Sequence, residues 1–320
     1  MGEEILQKAQ ERERHYDCRL PRWLHQPMRA GKNLTEVDGI LSDLGLHTVC
    51  RSAKCPNRME CFSSRTATFL LMGDICTRNC SFCSVTKGTP EPLDAGEPGK
   101  IARAAAAIGL EHVVMTSVTR DDLPDGGAGH FALAIQAVRE ELPRATVEVL
   151  TPDFKGNKRY LATVLMAKPD VFNHNMETVE ELYPRVRPMA DYRVSLALLR
   201  DAREIAAQII TKSGLMVGLG ETREQLRRAF YDMAGAECRM LTLGQYLRPS
   251  REQLKVERFV SPAEFEEMAG EAREAGIPVV ASAPLIRSSY RAGELMKDQE
   301  IDQEIDQEIM VDRRVDHKEN

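Results

Sequence analysis

The 320-residue chain has no apolar run approaching the roughly 18 to 20 residues that a membrane-spanning helix requires, which argues against an integral membrane protein. Its opening stretch, MGEEILQKAQERERHYD, is too charged to be a secretory signal, so a cytoplasmic location is expected. Positive charge is not in excess. Lys and Arg number 43 against 49 Asp and Glu, a net of −6, and this offers no general attraction to nucleic acid or anionic lipid. Aromatic residues are sparse at 5%. Hydrophobic residues at 42% and charged residues at 29% nevertheless support a core of ordinary size and argue against a mostly disordered chain.

What is there in quantity, locally, is cysteine. Six of the eight fall within 34 residues: Cys50, Cys55, Cys61, Cys76, Cys80 and Cys83. In a reducing compartment such spacing points to metal or redox chemistry before structural disulfides. Cys18 and Cys238 are isolated in segments of helical character and read as ordinary thiols packed as small hydrophobes.

Organisation along the chain is that of one α/β domain with extensions. Residues 1–48 read as a helical extension, a charged helix followed by RLPRWLHQPMRAGKN and a second helix, TEVDGILSDLGL, and residues 49–65 as a cysteine-bearing loop. From residue 66 to 292, short β-rich runs (TATFLLMG, EHVVMTS, TVEVLTP, DVFNHN, SGLMVGL, RMLTLGQYL, PVVASAP) alternate with amphipathic stretches such as KIARAAAAIG, HFALAIQAVREEL and SLALLRDAREIAAQI. Six or seven βα units predict a partial (β/α)6-type barrel, with an open doubly wound sheet as the competing architecture. In either, the loops after the strands line the site. Residues 293–320 form a charged tail with DQEI three times in succession, expected to be a frayed helix or disordered and assigned no chemistry.

Cys76, Cys80 and Cys83 form C-x3-C-x2-C directly after the first barrel strand candidate. Three thiolates on one loop can hold three corners of a cubane cluster and leave the fourth iron open, whereas a closed zinc or iron-sulfur site needs a fourth protein ligand. An open iron can chelate an amino-carboxylate such as that of S-adenosylmethionine, and electron transfer then cleaves the sulfonium to an adenosyl radical. The bland alternative is a zinc knuckle or a cluster used for folding. Cys50, Cys55 and Cys61 form C-x4-C-x5-C, also one ligand short. Two clusters are the economical reading, with a zinc loop bracing the extension as the alternative.

The C-x3-C-x2-C spacing with Phe82 before its last cysteine resembles the signature of the radical S-adenosylmethionine superfamily. Both trios in this order, with CPNRMECFSSRTATFLLMGDICTRNCSFC, VVMTSVTRDDLPDGGAGHF, EVLTPDFKG, FNHNMETV, RVRPMADYRVSL, TKSGLMVGLGET, LTLGQYLRPS and APLIRSSYRAG, resemble the lipoyl synthase family over about residues 35 to 293. The resemblance implies a sulfurtransferase. Cys76, Cys80 and Cys83 would hold the 4Fe-4S cluster that cleaves S-adenosylmethionine, and Cys50, Cys55 and Cys61 an auxiliary 4Fe-4S cluster consumed as sulfur donor. Sulfur would enter at C6 and C8 of an octanoyl chain on a carrier lysine.

It further implies that a serine of Arg287-Ser288-Ser289-Tyr290 completes the auxiliary ligand set, with Ser289 preferred over Ser288; a hard oxygen on a thiolate-preferring iron should leave readily. Without that context the pair would be a turn or cap. Gly214, Met216, Gly218 and Glu221 match the superfamily's G-x-I-x-G-x-x-E pattern near the adenine, though strand glycines also mark bends. Thr116, Ser117, Asn175 and Glu177 are polar groups at strand ends placed to touch the ribose or the amino-carboxylate, while His174 is expected to make a local hydrogen bond. Implied partners are octanoylated lipoyl carrier domains (2-oxoacid dehydrogenase acyltransferase subunits and the glycine cleavage H protein), a ferredoxin or flavodoxin as electron donor, and an iron-sulfur carrier for repair. Arg51, Phe62 and Gln253 depart from the family pattern, and none of the three is expected to touch a cluster ligand. Competing readings are another radical sulfur-insertion or methylthiolation enzyme and a non-catalytic electron-transfer or scaffold protein.

Overall fold

The computed structural model describes residues 20–27 and 31–296. The expected N-terminal charged helix, Cys18 and the DQEI repeats lie outside the described residues. The extension contributes α1 (Lys32–Asp43) and β1 (His47–Thr48), followed by two short helices, α2 (Val49–Ser52) and α3 (Arg58–Ser63). Thr48 caps α2 by accepting a hydrogen bond from the Arg51 N–H. The second cysteine trio therefore lies on and between two short helices, where the sequence reading expected only a loop.

The barrel begins with β2 (Thr68–Leu71). A two-stranded parallel ribbon, β3 (Ile75–Cys76) and β4 (Thr86–Lys87), then brackets the loop bearing Cys80 and Cys83. Six βα units follow the expected order. α4 (Glu97–Ile108) succeeds β2; β5 (His112–Ser117) leads to α5 (Ala128–Glu141) and β6 (Thr146–Leu150) to α6 (Lys158–Met166). β7 (Val171–Asn173) precedes the short α7 (Tyr183–Val186) and α8 (Tyr192–Ile205), β8 (Ile210–Val217) leads to α9 (Arg223–Gly235), and β9 (Met240–Gln245) to α10 (Pro262–Glu274). A seventh parallel strand, β10 (Val279–Ser282), completes the set. The sheet order is β1-β2-β5-β6-β7-β8-β9-β10; only β1 is antiparallel, and β10 does not pair with β2. The barrel is partial, as expected.

Local chemistry sets the helix bounds. Capping boxes at Thr222/Gln225 and Ser261/Glu264 start α9 and α10, with Pro262 in the first turn of the latter. Asp191 caps α8 through the Val194 N–H, so that helix starts three residues before the apolar pattern does. The helices pack their apolar faces on the outside of the sheet. α4 does so with small residues, Ala102, Ala104 and Ala105, against Phe131, Ala134 and Ile135 of α5.

β8 starts at Ile210, earlier than its apolar run, because its polar first half is paired inside the barrel. Lys212 Nζ lies 2.9 Å from Glu148 Oε2, with both side chains at most 1% exposed. Asn173 Nδ2 donates to the other carboxylate oxygen at 2.9 Å. Burial alone would push the Glu148 carboxyl up, but the Lys212 charge and then His112 hold it at about 2. This network floors the barrel below the site.

The boundary expected at 292 falls inside a further helical turn, 292–296, where Met296 packs with Val171, Met240 and Val279. The segment leading to it is strapped to the extension. Asn57 Nδ2 donates to the Leu285 carbonyl at 2.7 Å and Tyr290 Oη to Glu60 Oε1 at 3.0 Å. The last strand's continuation thus reaches across the open side of the barrel to α3.

Candidate active site and cluster loops

A cavity of about 1890 Å³ occupies the barrel mouth and its open side, and all six clustered cysteines line it together with Ser288 and Ser289. The first trio is presented by the β3–β4 ribbon, which is clamped from within. Arg78, between Cys76 and Cys80, is 5% exposed and forks two carboxylates: Nε and Nη2 reach Asp121 at 2.8 and 3.0 Å, and Nη1 and Nη2 reach Asp153 at 2.6 and 2.7 Å. Bidentate pairs of this kind fix orientation as well as position. Burial would raise the Asp153 carboxyl, but hydrogen bonds from Arg78 hold it at about 2.

The sulfurs are set as acceptors. Cys76 Sγ receives the N–H groups of Thr119 at 3.3 Å and Arg78 at 3.4 Å. Burial pushes the Cys83 thiol up to about 12, with the charges of Cys80 and Cys76 adding to it and the Val85 N–H opposing. In the second trio burial, then the neighbouring thiols, pushes Cys50 up to about 11 and Cys61 up to about 12, against hydrogen bonds from Thr68 and Thr66. Buried in this way, Cys50, Cys61 and Cys83 ionise only with a cation among them, and N–H and O–H donors already point at the sulfurs. Among the described residues no three Cys, His, Asp or Glu side chains converge on one ion position. A cubane asks for something else, one thiolate on each of three separate irons, so the donor chemistry fits clusters better than a mononuclear zinc site.

Across from the first trio the strand ends carry the predicted polar groups. Thr116 and Ser117 line the cavity; Thr116 Oγ1 donates to the Leu150 carbonyl at 2.9 Å, while the buried Ser117 Oγ has no partner among the described residues. Asn175 Nδ2 donates to Glu177 Oε1 at 3.1 Å. Glu177, at φ 65°, forms an isolated parallel bridge with Leu215: its N–H reaches the Gly214 carbonyl and its carbonyl accepts from the Met216 N–H. Burial raises the Glu177 carboxyl, opposed by Arg187. His174 Nδ1 donates to the Thr151 carbonyl at 2.9 Å, the local hydrogen bond expected. Its Nε2 is then a buried acceptor with no partner among the described residues. Burial, then Arg187, holds the ring near 4, so it is neutral. Ser117, Thr151 and His174 thus put unsatisfied polar atoms on one wall, which fits a polar ligand such as S-adenosylmethionine.

Gly214 and Met216 line the cavity, whereas Gly218 and Glu221 do not. The Glu221 carboxylate instead accepts from the N–H groups of Gly218 at 2.6 Å and Leu219 at 2.9 Å, closing the turn after β8.

The RSSY serines reach the cavity from the far end of the chain. Ser288 Oγ donates to Asn175 Oδ1 at 2.8 Å. Ser289 makes no hydrogen bond among the described residues and lines the same cavity. Close approach depends on glycine: a Cβ on Gly214 would lie 2.8 Å from Ser288 Oγ, and one on Gly244 only 2.1 Å from the Ile286 carbonyl oxygen.

Several functional contacts escaped the sequence reading. Arg78 was visible inside CTRNC, but nothing local announced its acidic partners. Arg187 donates to the Asn175 carbonyl at 2.9 Å and Tyr183 Oη at 3.0 Å and lines the cavity. Gln253, expected to stay clear of the ligands, donates to the Cys83 carbonyl at 3.4 Å, a correction that follows from the loop after β9 folding over the cysteine loop. Arg51 pairs with Asp38 at 2.7 Å and ties α2 to α1, Phe62 is buried, and Cys238 is a buried thiol donating to the Met240 carbonyl.

Comparison with known proteins is consistent along the chain. Residues 70–232 match the radical SAM superfamily, and residues 2–55 match the N-terminal domain of lipoyl synthase of the radical SAM family. The lipoyl synthase of Oleidesulfovibrio alaskensis is 55% identical over 281 residues, 88% of this chain and 96% of its own length. That of Alkaliphilus metalliredigens is 49% identical over 282 residues, covering 88% and 97%. Among solved structures, HydG, a maturase of the FeFe-hydrogenase, aligns with a TM-score of 0.53 at 14% identity over 66% of this chain and 49% of its own. Streptococcus suis SuiB bound to S-adenosylmethionine aligns with a TM-score of 0.53 at 11% identity over 70% and 54%. At such identities these two likenesses speak to the fold alone.

Proposed function

Because the chain belongs to the lipoyl synthase family of the radical SAM superfamily, we propose the following division of its site. Its reaction is that of the family: insertion of two sulfur atoms, at C6 and C8, into a protein-bound octanoyl-lysine. When bound, the two 4Fe-4S clusters and S-adenosylmethionine supply the electron, the hydrogen-abstracting radical and the sulfur.

Cys76, Cys80 and Cys83 would hold the cluster that engages S-adenosylmethionine, and the Arg78 fork fixes their loop. Cys50, Cys55 and Cys61, with Ser289, would hold the auxiliary cluster. Ser289 is preferred to Ser288 because the Ser288 hydroxyl is engaged by Asn175. The polar wall of Thr116, Ser117, Asn175 and Glu177 orients the sulfonium ligand, with His174 Nε2 accepting from it. Gly218 and Glu221 act one step back by shaping the turn that ends β8. Residues 49–65 carry the auxiliary ligands and the barrel the radical chemistry. The Lys212–Glu148 pair fills the barrel interior below the strand-end wall.

The observation that carries this reading is the meeting of both trios and the RSSY serines on one cavity. The chain acts on lipoyl carrier domains. The acyltransferase subunits of 2-oxoacid dehydrogenases and the glycine cleavage H protein are the proposed carriers, a ferredoxin or flavodoxin the reductant, and an iron-sulfur carrier the source of repair. No described helix is long and apolar enough to cross a membrane, and a cytoplasmic location is proposed. The test is anaerobic reconstitution with iron and sulfide, then S-adenosylmethionine, dithionite and an octanoyl-lysyl carrier peptide. Thiolated peptide is expected by mass spectrometry; 5′-deoxyadenosine without thiolation overturns the assignment.

A further inference from the structure

Asn57 lies between Cys55 and Cys61, directly before α3, at the position where an asparagine ordinarily accepts a hydrogen bond from the first turn of the helix. Here its side chain makes no such bond, although the residue is only 1% exposed. Both ends of the amide are directed to distant parts of the chain. Nδ2 donates to the Leu285 carbonyl at 2.7 Å, 228 residues away, and Oδ1 accepts from Gln26 Nε2 of the extension at 2.6 Å. A carbonyl can only accept, so the Leu285 oxygen decides which way the amide faces.

Main chain and side chain of this residue therefore grip two different segments. The Asn57 carbonyl accepts the Cys61 N–H at 2.9 Å, in the turn that begins α3, while Nδ2 holds the residue four positions before Ser289. Just beyond the serine, Tyr290 Oη donates to Glu60 Oε1 at 3.0 Å. Residues 285–290 are thus fastened to the Cys55–Cys61 stretch on both sides of Ser289. Cysteines on neighbouring short helices take their spacing from local structure. A serine arriving from the far end of the chain takes its place only from contacts of this kind.

We propose that Asn57 is a positioning residue that brings Ser289 to the second cysteine trio. The inference rests on the reading that Cys50, Cys55, Cys61 and Ser289 share one cluster. Without the Nδ2 donor, the Leu285 carbonyl has no reason to stay against α3, and the serine moves with it. A single neutral hydrogen bond shifts an equilibrium by roughly 2- to 10-fold, so the serine is displaced in a fraction of the molecules while the cysteines keep their places.

The test uses full-length chains reconstituted anaerobically with iron and sulfide: wild type, Asn57→Ser, Asn57→Asp, Gln26→Ala, Ser289→Ala and the double variant Asn57→Ser/Ser289→Ala. Serine is a good helix cap, so Asn57→Ser keeps α3 while losing the reach to Leu285. Asn57→Asp matches asparagine in size and keeps an acceptor toward Gln26, but has no donor for Leu285. Mössbauer spectra distinguish an iron held by oxygen from irons held by thiolate, and hydrogen exchange read by mass spectrometry follows residues 285–290. Both Asn57 variants are expected to lose part of the oxygen-held iron signal, to exchange up to about 10-fold faster over 285–290 and to thiolate the carrier peptide several-fold more slowly. Formation of 5′-deoxyadenosine stays at the wild-type rate. Gln26→Ala matches wild type throughout, and the double variant gives the spectrum of Ser289→Ala alone, because the tie acts through the serine.

A wild-type spectrum in either Asn57 variant would overturn the proposal. So would Gln26→Ala reproducing the loss, which would place the effect in the extension, or a double variant that loses the cysteine-held irons as well. A wild-type spectrum in Ser289→Ala would overturn the ligand assignment itself and this inference with it.

Discussion

Gly244→Ala is the sharpest probe of how the RSSY segment seats against β9. A Cβ at this position would lie 2.1 Å from the Ile286 carbonyl oxygen and 3.1 Å from both its carbon and Arg287 Nη1, where ordinary contact begins at 3.4 Å. The nearest atom is backbone, so no rotamer change relieves it, and the segment carrying Arg287 and Ser289 must retreat from β9 by about an ångström. Over-packing of this kind costs about 1–3 kcal/mol, which a domain stable by roughly 5–15 kcal/mol survives. Misplacement by about 1 Å near reacting groups costs on the order of 100-fold in rate. The variant is therefore expected to fold, to keep the iron held by Cys76, Cys80 and Cys83 and to form 5′-deoxyadenosine normally, while thiolation of the carrier peptide falls about 100-fold. Product mass spectrometry and an iron count on the same sample read both activities. Gly270→Ala, in α10 with open space around its Cβ, is the control and should change neither. Thiolation at the wild-type rate in Gly244→Ala, or parallel loss of both activities, would refute the reasoning.

Cys50→Ala should leave 5′-deoxyadenosine formation intact and abolish thiolation; loss of both would show that the trios do not divide the labour as argued. Arg78→Gln strips Asp121 and Asp153 of their shared partner and is expected to cost about 3–5 kcal/mol in denaturant unfolding, a change below about 1 kcal/mol being the contrary result. Glu148 and Asp153 are each held at about 2, below ordinary values of 4.5 and 3.8. With folded values depressed, their stabilisation is complete above the unfolded values and is lost as pH falls from about 4.5 toward 2. Lys212→Met removes the cation that depresses Glu148, so its acid-unfolding midpoint by circular dichroism should move to higher pH; an unmoved midpoint would mean the barrel floor is not held by this pair.

The alternation of β-rich and amphipathic segments carried the barrel in the linear chain, since a strand's and a helix's apolar periods are local properties. β8 shows the limit. Lys212 reads as polar and shortens the apparent strand, and only the approach of Glu148 from β6 explains why it is buried. Likewise the start of α8 lay in the Asp191 cap and not in apolar spacing.

Cysteine spacing is a local property, so the grouping of six thiols into two trios, each one short of a four-cysteine set, was legible in the sequence alone. Which serine is left available was decided by tertiary structure. Tyr290 finds Glu60 across 230 residues, and Ser288 is taken up by Asn175 while Ser289 is not. Contacts made between strand ends on opposite sides of a barrel depend on sheet curvature and on glycines that let backbones touch, and no short stretch of chain encodes those by itself.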